Sequence, residues 1–342
     1  MKTNRFFLAI LAVAGMMTAC SNEGAVQQLN TDSRAISFRL QGGTPETVLR
    51  TNATTLEKLD AFVVYGTDDV FDAAGALIFD GVTVGRKVGA GNVFEYAPKR
   101  YFDEKATDSR FFAYSPVSAN VTEAHTLGSF ISAGVTLTYT VPDPDFSTNI
   151  TQEDLLVAGA AVTAFAPVTN VHLEFKHALS RIFVTASNSA ADPVIITRLT
   201  LKNLAKTGYL DVDLTNMPTW TSFTDIGDYE YILAESGGVA VLPGAGNMFV
   251  TSKEQGMMVL PQITINENDD NVFDTNDFAL EVNYDFANLT GQTKYILLKE
   301  GYEFEAGKQY SININFSGRE ITFTVDVIDF DDIQEVYYPT NP

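Results

Sequence analysis

Cysteine is all but missing. The 342 residues contain one, Cys20, which excludes an internal disulfide, a thiolate metal cluster and a cysteine nucleophile from whatever folds downstream of it. Histidine occurs three times and tryptophan once. Positive charge is also scarce, with 22 Lys and Arg against 43 Asp and Glu for a formal net of −21. A nucleic-acid binder needs basic stripes that displace phosphate counterions, so that class is excluded. Beyond the N-terminus no apolar run approaches the ~18 residues of a membrane span. H-E-x-x-H, G-x-S-x-G, the P-loop and G-x-G-x-x-G are all absent. The expectation is therefore no enzyme and no cofactor. What is present is a 45% apolar chain rich in Phe (24), Tyr (14) and Gly (24). That is too apolar for disorder and long enough for two domains of ~150 residues. It has the composition of an exported all-β protein.

The first twenty residues read as an export signal. Lys2 and Arg5 precede an apolar stretch from Phe6 to Met17, and Thr18 and Ala19 supply small residues before Cys20. The alternative, a membrane anchor, fails on length and on the lack of a following stop-transfer charge. Met17-Thr18-Ala19-Cys20 resembles a bacterial lipobox, with Met in place of the usual Leu. The resemblance implies removal of residues 1–19, acylation of the Cys20 sulfur and amine, and attachment to the outer membrane through that lipid. Cleavage there removes two positive charges and no acid, so the mature chain repels anionic lipid more strongly still. Residues 20–34 form a polar, aperiodic tether.

Period-2 alternation begins at Ala35. Ile36, Phe38 and Leu40 point one way and Ser37 and Arg39 the other, as in a half-buried strand. A Gly- and Pro-containing stretch, 41–45, breaks it. Further strands are predicted at 59–65, closed by residues 66–69, and at 94–97, 110–114, 135–141, 171–175 and 180–186. The series continues at 194–201, 208–214, 239–242, 256–260, 278–285, 294–298, 308–316 and 321–327. Residues 177–181 read as a brief turn. Short strands punctuated by turn residues indicate antiparallel β-sandwiches. A boundary is expected within 162–169, dividing an N-terminal domain (35–168) from a C-terminal one (169–342).

Isolated chemical signals are weak. His125, His172 and His177 have no zinc-ligand spacing and read as ordinary hydrogen-bonded residues. The Asn/Asp-rich stretch from Asn266 to Asp277 carries enough oxygen for Ca²⁺ but lacks EF-hand spacing, and a solvated loop is the competing reading. Trp220, near Tyr229 and Tyr231, fits either a sugar-stacking platform or a core residue.

Five segments taken together resemble the fimbrillin family, the type V pilins of Bacteroides-type bacteria. They are FFAYSP (111–116), LEFKHALSRI (173–182), VLPQ (259–262) followed by the 278 strand, GKQY (307–310), and the closing strand 321–327. The Trp frequent after the family's last strand is Phe330 here. The resemblance implies two transthyretin-like β-sandwich domains in tandem and a fimbrial subunit serving adhesion. It also implies an arginine-specific protease that cuts after the first strand, and assembly with other pilin subunits by strand exchange. Arg50 best matches the cut, with Arg34 and Arg39 as rivals. The donor is expected at the C-terminus, residues 333–342, with Ile333, Val336 and Tyr338 as candidate plugs. The alternative reading of so short an arm is a tip or accessory subunit, which accepts a strand but need not donate one.

The residues support a removable plug at one point. Ile36, Phe38 and Leu40 form an apolar comb worth ~1.5–3 kcal/mol per buried side chain, held intramolecularly while the chain is intact. Once released, it leaves an unpaired edge and an apolar groove, and head-to-tail filling of that groove makes a filament. Two competing readings remain: a permanently fixed first strand, and a surface lipoprotein that binds glycan without polymerising.

Overall fold

A computed structural model describes residues 34–40, 59–73, 76–88, 93–118, 120–124, 134–143, 152–163, 170–214, 218–233, 237–251, 256–265, 272–298, 301–317 and 320–329. Among the described residues one helix and twenty strands occur.

The first half contains β1 (Ser37–Leu40), β2 (Ala61–Asp68), α1 (Asp69–Ala73), β3 (Phe79–Arg86), β4 (Phe94–Glu95), β5 (Asp108–Ser115), β6 (Val121–Ala124), β7 (Val135–Thr140) and β8 (Leu156–Thr163). Next come β9 (Asn170–Leu173), β10 (Lys176–His177), β11 (Ser180–Asn188), β12 (Val194–Val212), β13 (Thr219–Ile232), β14 (Val239–Val241) and β15 (Ala245–Phe249). The chain continues through β16 (Met257–Val259), β17 (Ala279–Phe286), β18 (Leu289–Leu297), β19 (Lys308–Ser317) and β20 (Glu320–Asp329).

The protein is all-β. One sheet runs β10-β8-β5-β2-β3-β4, a second runs β18-β17-β12-β7-β6 with β13 and β14 also on β12, and a third runs β15-β11-β19-β20 with β16 on β11. β1 and β9 form a separate pair. Most ladders are antiparallel, but β1–β9 and β11–β19 are parallel. Strands from both sides of residue 169 share structure: β9 pairs β1, β10 pairs β8, and β7 pairs β12.

The first sheet is covered on both faces, which explains the near-continuous apolar runs of β2 and β5. Phe62, Val64, Phe111 and Ala113 point into a core shared with Ile36 and Phe38. Val63, Tyr65, Phe112 and Tyr114 point into the larger core, which also holds Ile182, Leu210, Tyr229 and Ile312. Alternate residues of one strand thus serve two cores.

Several sequence expectations change. The 59–65 strand does not stop at Gly66: β2 runs on to Asp68, whose Oδ1 accepts the Val70 and Phe71 N–H groups and so starts α1. The strands expected at 194–201 and 208–214 are one, β12, kept continuous by a register shift between Leu201 and Leu204 and by Asn203 at φ +58°. Residues 177–181 are no turn. His177 ends β10, Ser180 starts β11, and Ala178 and Leu179 between them are buried.

Candidate functional site

The expected plug is seated in a groove. Ile36 and Phe38 are buried, Leu40 is half-buried, and Ser37 and Arg39 are exposed, which matches the alternation in the sequence. Two fully buried side chains rather than three put the apolar hold at about 3–6 kcal/mol.

One wall of the groove is β9, paired in parallel with Ser37 opposite Asn170, Phe38 opposite Val171, Arg39 opposite His172 and Leu40 opposite Leu173. Ser37 Oγ donates to Asn170 Oδ1 at 2.6 Å on the outer side. The other wall is the segment before and around Tyr101, which bridges Ala35 in antiparallel fashion. The Ile36 N–H donates to the Arg100 carbonyl at 2.9 Å, and the Phe102 N–H donates to the Arg34 carbonyl at 3.2 Å. Tyr96 adds a side-chain clasp, its hydroxyl donating to the Ile36 carbonyl at 2.6 Å. Burial raises the Tyr96 pKa above the usual tyrosine value, so the donor keeps its proton at neutral pH.

The floor is aromatic. The Phe38 ring meets Phe79 at 5.3 Å, Tyr96 and Phe111 at 5.9 Å, and Phe62 at 6.0 Å, in each case edge to face. Such contacts add ~0.5–1.5 kcal/mol each beyond area burial. Phe62, Phe79 and Phe111 come from β2, β3 and β5, so the sheet itself builds the socket.

Two of the three candidate processing sites lie among the described residues. Arg34 pairs with Glu104 at 2.6 Å and its carbonyl is engaged by Phe102, while Arg39 is exposed but lies within the β1 ladder. Cys20, Arg50, Ile333, Val336 and Tyr338 lie outside the described residues, as do His125 and Asn266 to Asn271.

The weaker sequence signals resolve into structural contacts. His177 Nδ1 lies 2.6 Å from Asp154 Oδ2. Trp220 is half-buried: its N–H donates to the Ala178 carbonyl at 2.8 Å, its ring stacks with that of Phe223, and Tyr229 and Tyr231 are buried. In the Asn/Asp stretch, Asp277 is buried and accepts the Asp274 N–H at 2.9 Å. Among the described residues no group of three or more His, Cys, Asp or Glu is placed to hold a metal ion. Sequence reasoning missed the socket itself. FFAYSP contains Phe111, but nothing local says that its ring meets one seventy-odd residues earlier.

The fold and this site define an all-β protein whose short first strand closes an aromatic-lined groove. The chain belongs to the fimbrillin-like family, whose profile matches residues 50–329. No curated protein matches it. Among solved structures it is similar to a fimbrial protein from Bacteroides vulgatus, at 17% identity and a TM-score of 0.60, covering 87% of this chain and 99% of that one. A provisionally assigned cell adhesion protein from Bacteroides ovatus matches at 17% identity and a TM-score of 0.53, covering 86% and 96%. Another such protein from Parabacteroides distasonis matches at 9% and 0.52, covering 88% and 98%. At these identities the likeness is one of fold.

Proposed function

We propose that the chain is a structural subunit, stalk or tip, of a cell-surface fimbria serving adhesion. It is exported as a lipoprotein held on the outer membrane through Cys20, and an arginine-specific protease cuts it at Arg50. Strand β1 then leaves, and an extended segment of another subunit replaces it.

The observation that carries this reading is the seating of β1. It is a four-residue strand joined on its C-terminal side to the rest of the protein through residues 41–58, which contain Arg50. A cut there turns an intramolecular strand into a dissociable peptide held by two buried side chains and a few hydrogen bonds. Its departure bares Phe62, Phe79, Phe111, Val171 and Leu173, together with the edge of β9. An apolar groove beside an unpaired edge is the physical requirement for strand addition. A cut at Arg34 would leave β1 attached, and one at Arg39 would require opening the ladder first.

Treating the purified protein with an arginine-specific protease tests the reading. The expected result is one cut after Arg50, followed by SDS-resistant ladders, with neither in Arg50→Ala. A chain that stays whole and solitary and binds glycan would favour the non-polymerising alternative.

A further inference from the structure

Far from the first strand, β20 is a sheet edge that nothing blunts. Its ladder with β19 runs without a register shift from Ser317 opposite Glu320 to Lys308 opposite Asp329. Among the described residues β19 is its one neighbour. By contrast β13, which pairs only β12 among the described residues, is broken by two register shifts. Edges are ordinarily protected by bulges, prolines or lysines, and the stretch from Ile321 to Val327 has none of these.

The inner face of β20 is short of cover as well. Ile321, Phe323, Val325 and Val327 stand opposite Phe316, Ile314, Ile312 and Tyr310, all of them buried. Directly opposite residues of an antiparallel pair share a face, so the row on β20 lies on the core side of the sheet. Yet Phe323 is 38% exposed and Val327 47%, with Ile321 and Val325 half-buried. We infer that β20 is an interface between two copies of this chain, paired antiparallel about a twofold axis through Thr324.

Charge and register both favour a second copy as the occupant. A formal net charge of −21 drives copies apart, so a contact between them belongs where charge is thin. From Ile321 to Val327 the only charged residue is Asp326. Centring the axis on Thr324 sets Phe323 opposite Val325 of the other copy and Ile321 opposite Val327, which joins the two apolar rows into one face. Thr322 then meets Asp326, and no acid meets an acid. Centring on Phe323 instead sets Glu320 against Asp326 twice, and centring on Val325 sets Ile321 against Asp329. A slip of one residue lays the apolar row against Thr322, Thr324 and Asp326. The Thr324 register alone meets every condition. Being isologous, the contact closes at two copies. It does not depend on strand exchange, but repeated along a filament it joins neighbouring filaments side by side.

The test uses the uncut chain beginning after Cys20, followed by sedimentation equilibrium. A monomer–dimer equilibrium is expected, about fivefold weaker in Thr324→Lys and in Thr324→Glu and restored when the two variants are mixed, because like charges directly opposite repel and unlike charges attract. Thr324 is exposed, so the denaturant midpoints of both variants should stay at the wild-type value. On oxidation Thr324→Cys should give a disulfide-linked dimer, since directly opposite Cα atoms lie about 4.5–5.5 Å apart. Thr322→Cys, whose counterpart stands four residues further along, should not. A monomer at every concentration overturns the inference, as does a dimer that the charged variants leave unchanged or that cross-links equally through Thr322→Cys. A chain ending at Asp329 that dimerises where the full chain does not would show the edge covered by the chain's own last residues, and overturns it too. Because the protein is uncut, the exchange reading stands or falls separately.

Discussion

The Tyr96 hydroxyl donates to the Ile36 carbonyl at 2.6 Å, across sixty residues of chain. This side-chain bond holds the backbone of the first strand against the wall it would have to leave. It is neutral and partly buried, so Tyr96→Phe removes one hydrogen bond while keeping the ring in the aromatic floor. The intact protein should lose about 1 kcal/mol of unfolding free energy by denaturant titration, and the cut protein should release residues 34–40 faster.

The socket predicts a sharp contrast between neighbours. Phe38→Ala empties a fully enclosed position and should cost about 3–5 kcal/mol in the uncut chain. Arg39→Ala, one residue on and exposed, should change stability by no more than ~0.5 kcal/mol. Denaturant midpoints for the two variants check this, and equal effects would contradict the seating of β1.

Gly208 lies beneath the only tryptophan. A Cβ there would stand 2.7 Å from Cε3 and Cζ3 of Trp220. Gly208→Ala should displace the indole, weaken its bond to the Ala178 carbonyl, and cost about 1–3 kcal/mol. With one Trp in the chain, a red shift of the fluorescence maximum reports this contact directly.

Stability should fall in alkali. Burial raises the pKa of Tyr310 to about 12, and burial first, then nearby acids, raises those of Tyr139 and Tyr229 further. A folded pKa above the unfolded value near 10 means that the native state keeps its proton after the unfolded chain has lost it. That contribution is complete below about pH 10 and is lost as pH rises towards the folded values. Arg181 runs the other way: burial lowers its pKa to about 10, against the attraction of Asp154, so its contribution grows above that pH. Three tyrosines outweigh one arginine. Denaturant midpoints should hold steady up to about pH 9 and fall above 10, less steeply in Tyr310→Phe.

Ile36 and Phe38 were legible because a half-buried strand writes its two faces into alternate residues. The walls that receive them were not, because β9 and the Arg100 region lie far along the chain and pairing of that range leaves no local pattern. Strand β8 hid for a different reason: its sequence, LVAGAAVT, is mostly small residues and reads as a linker. Strand β13, TWTSFTDIGDYEYI, lies largely exposed beside β12, so its polar residues mask the strand. The break expected between the 194–201 and 208–214 strands is absent, because β12 passes through Asn203 at positive φ.

The most direct test pins the first strand in place. Ser37 and Asn170 face each other across the β1–β9 ladder, with their side-chain oxygens 2.6 Å apart. Replacing both with cysteine, in a chain beginning after Cys20, allows a disulfide to lock β1 in the groove after proteolysis. The account predicts that the oxidised, cut protein stays monomeric and that reduction releases ladder formation. Ladders of wild-type yield from the oxidised protein would show that assembly does not pass through this groove.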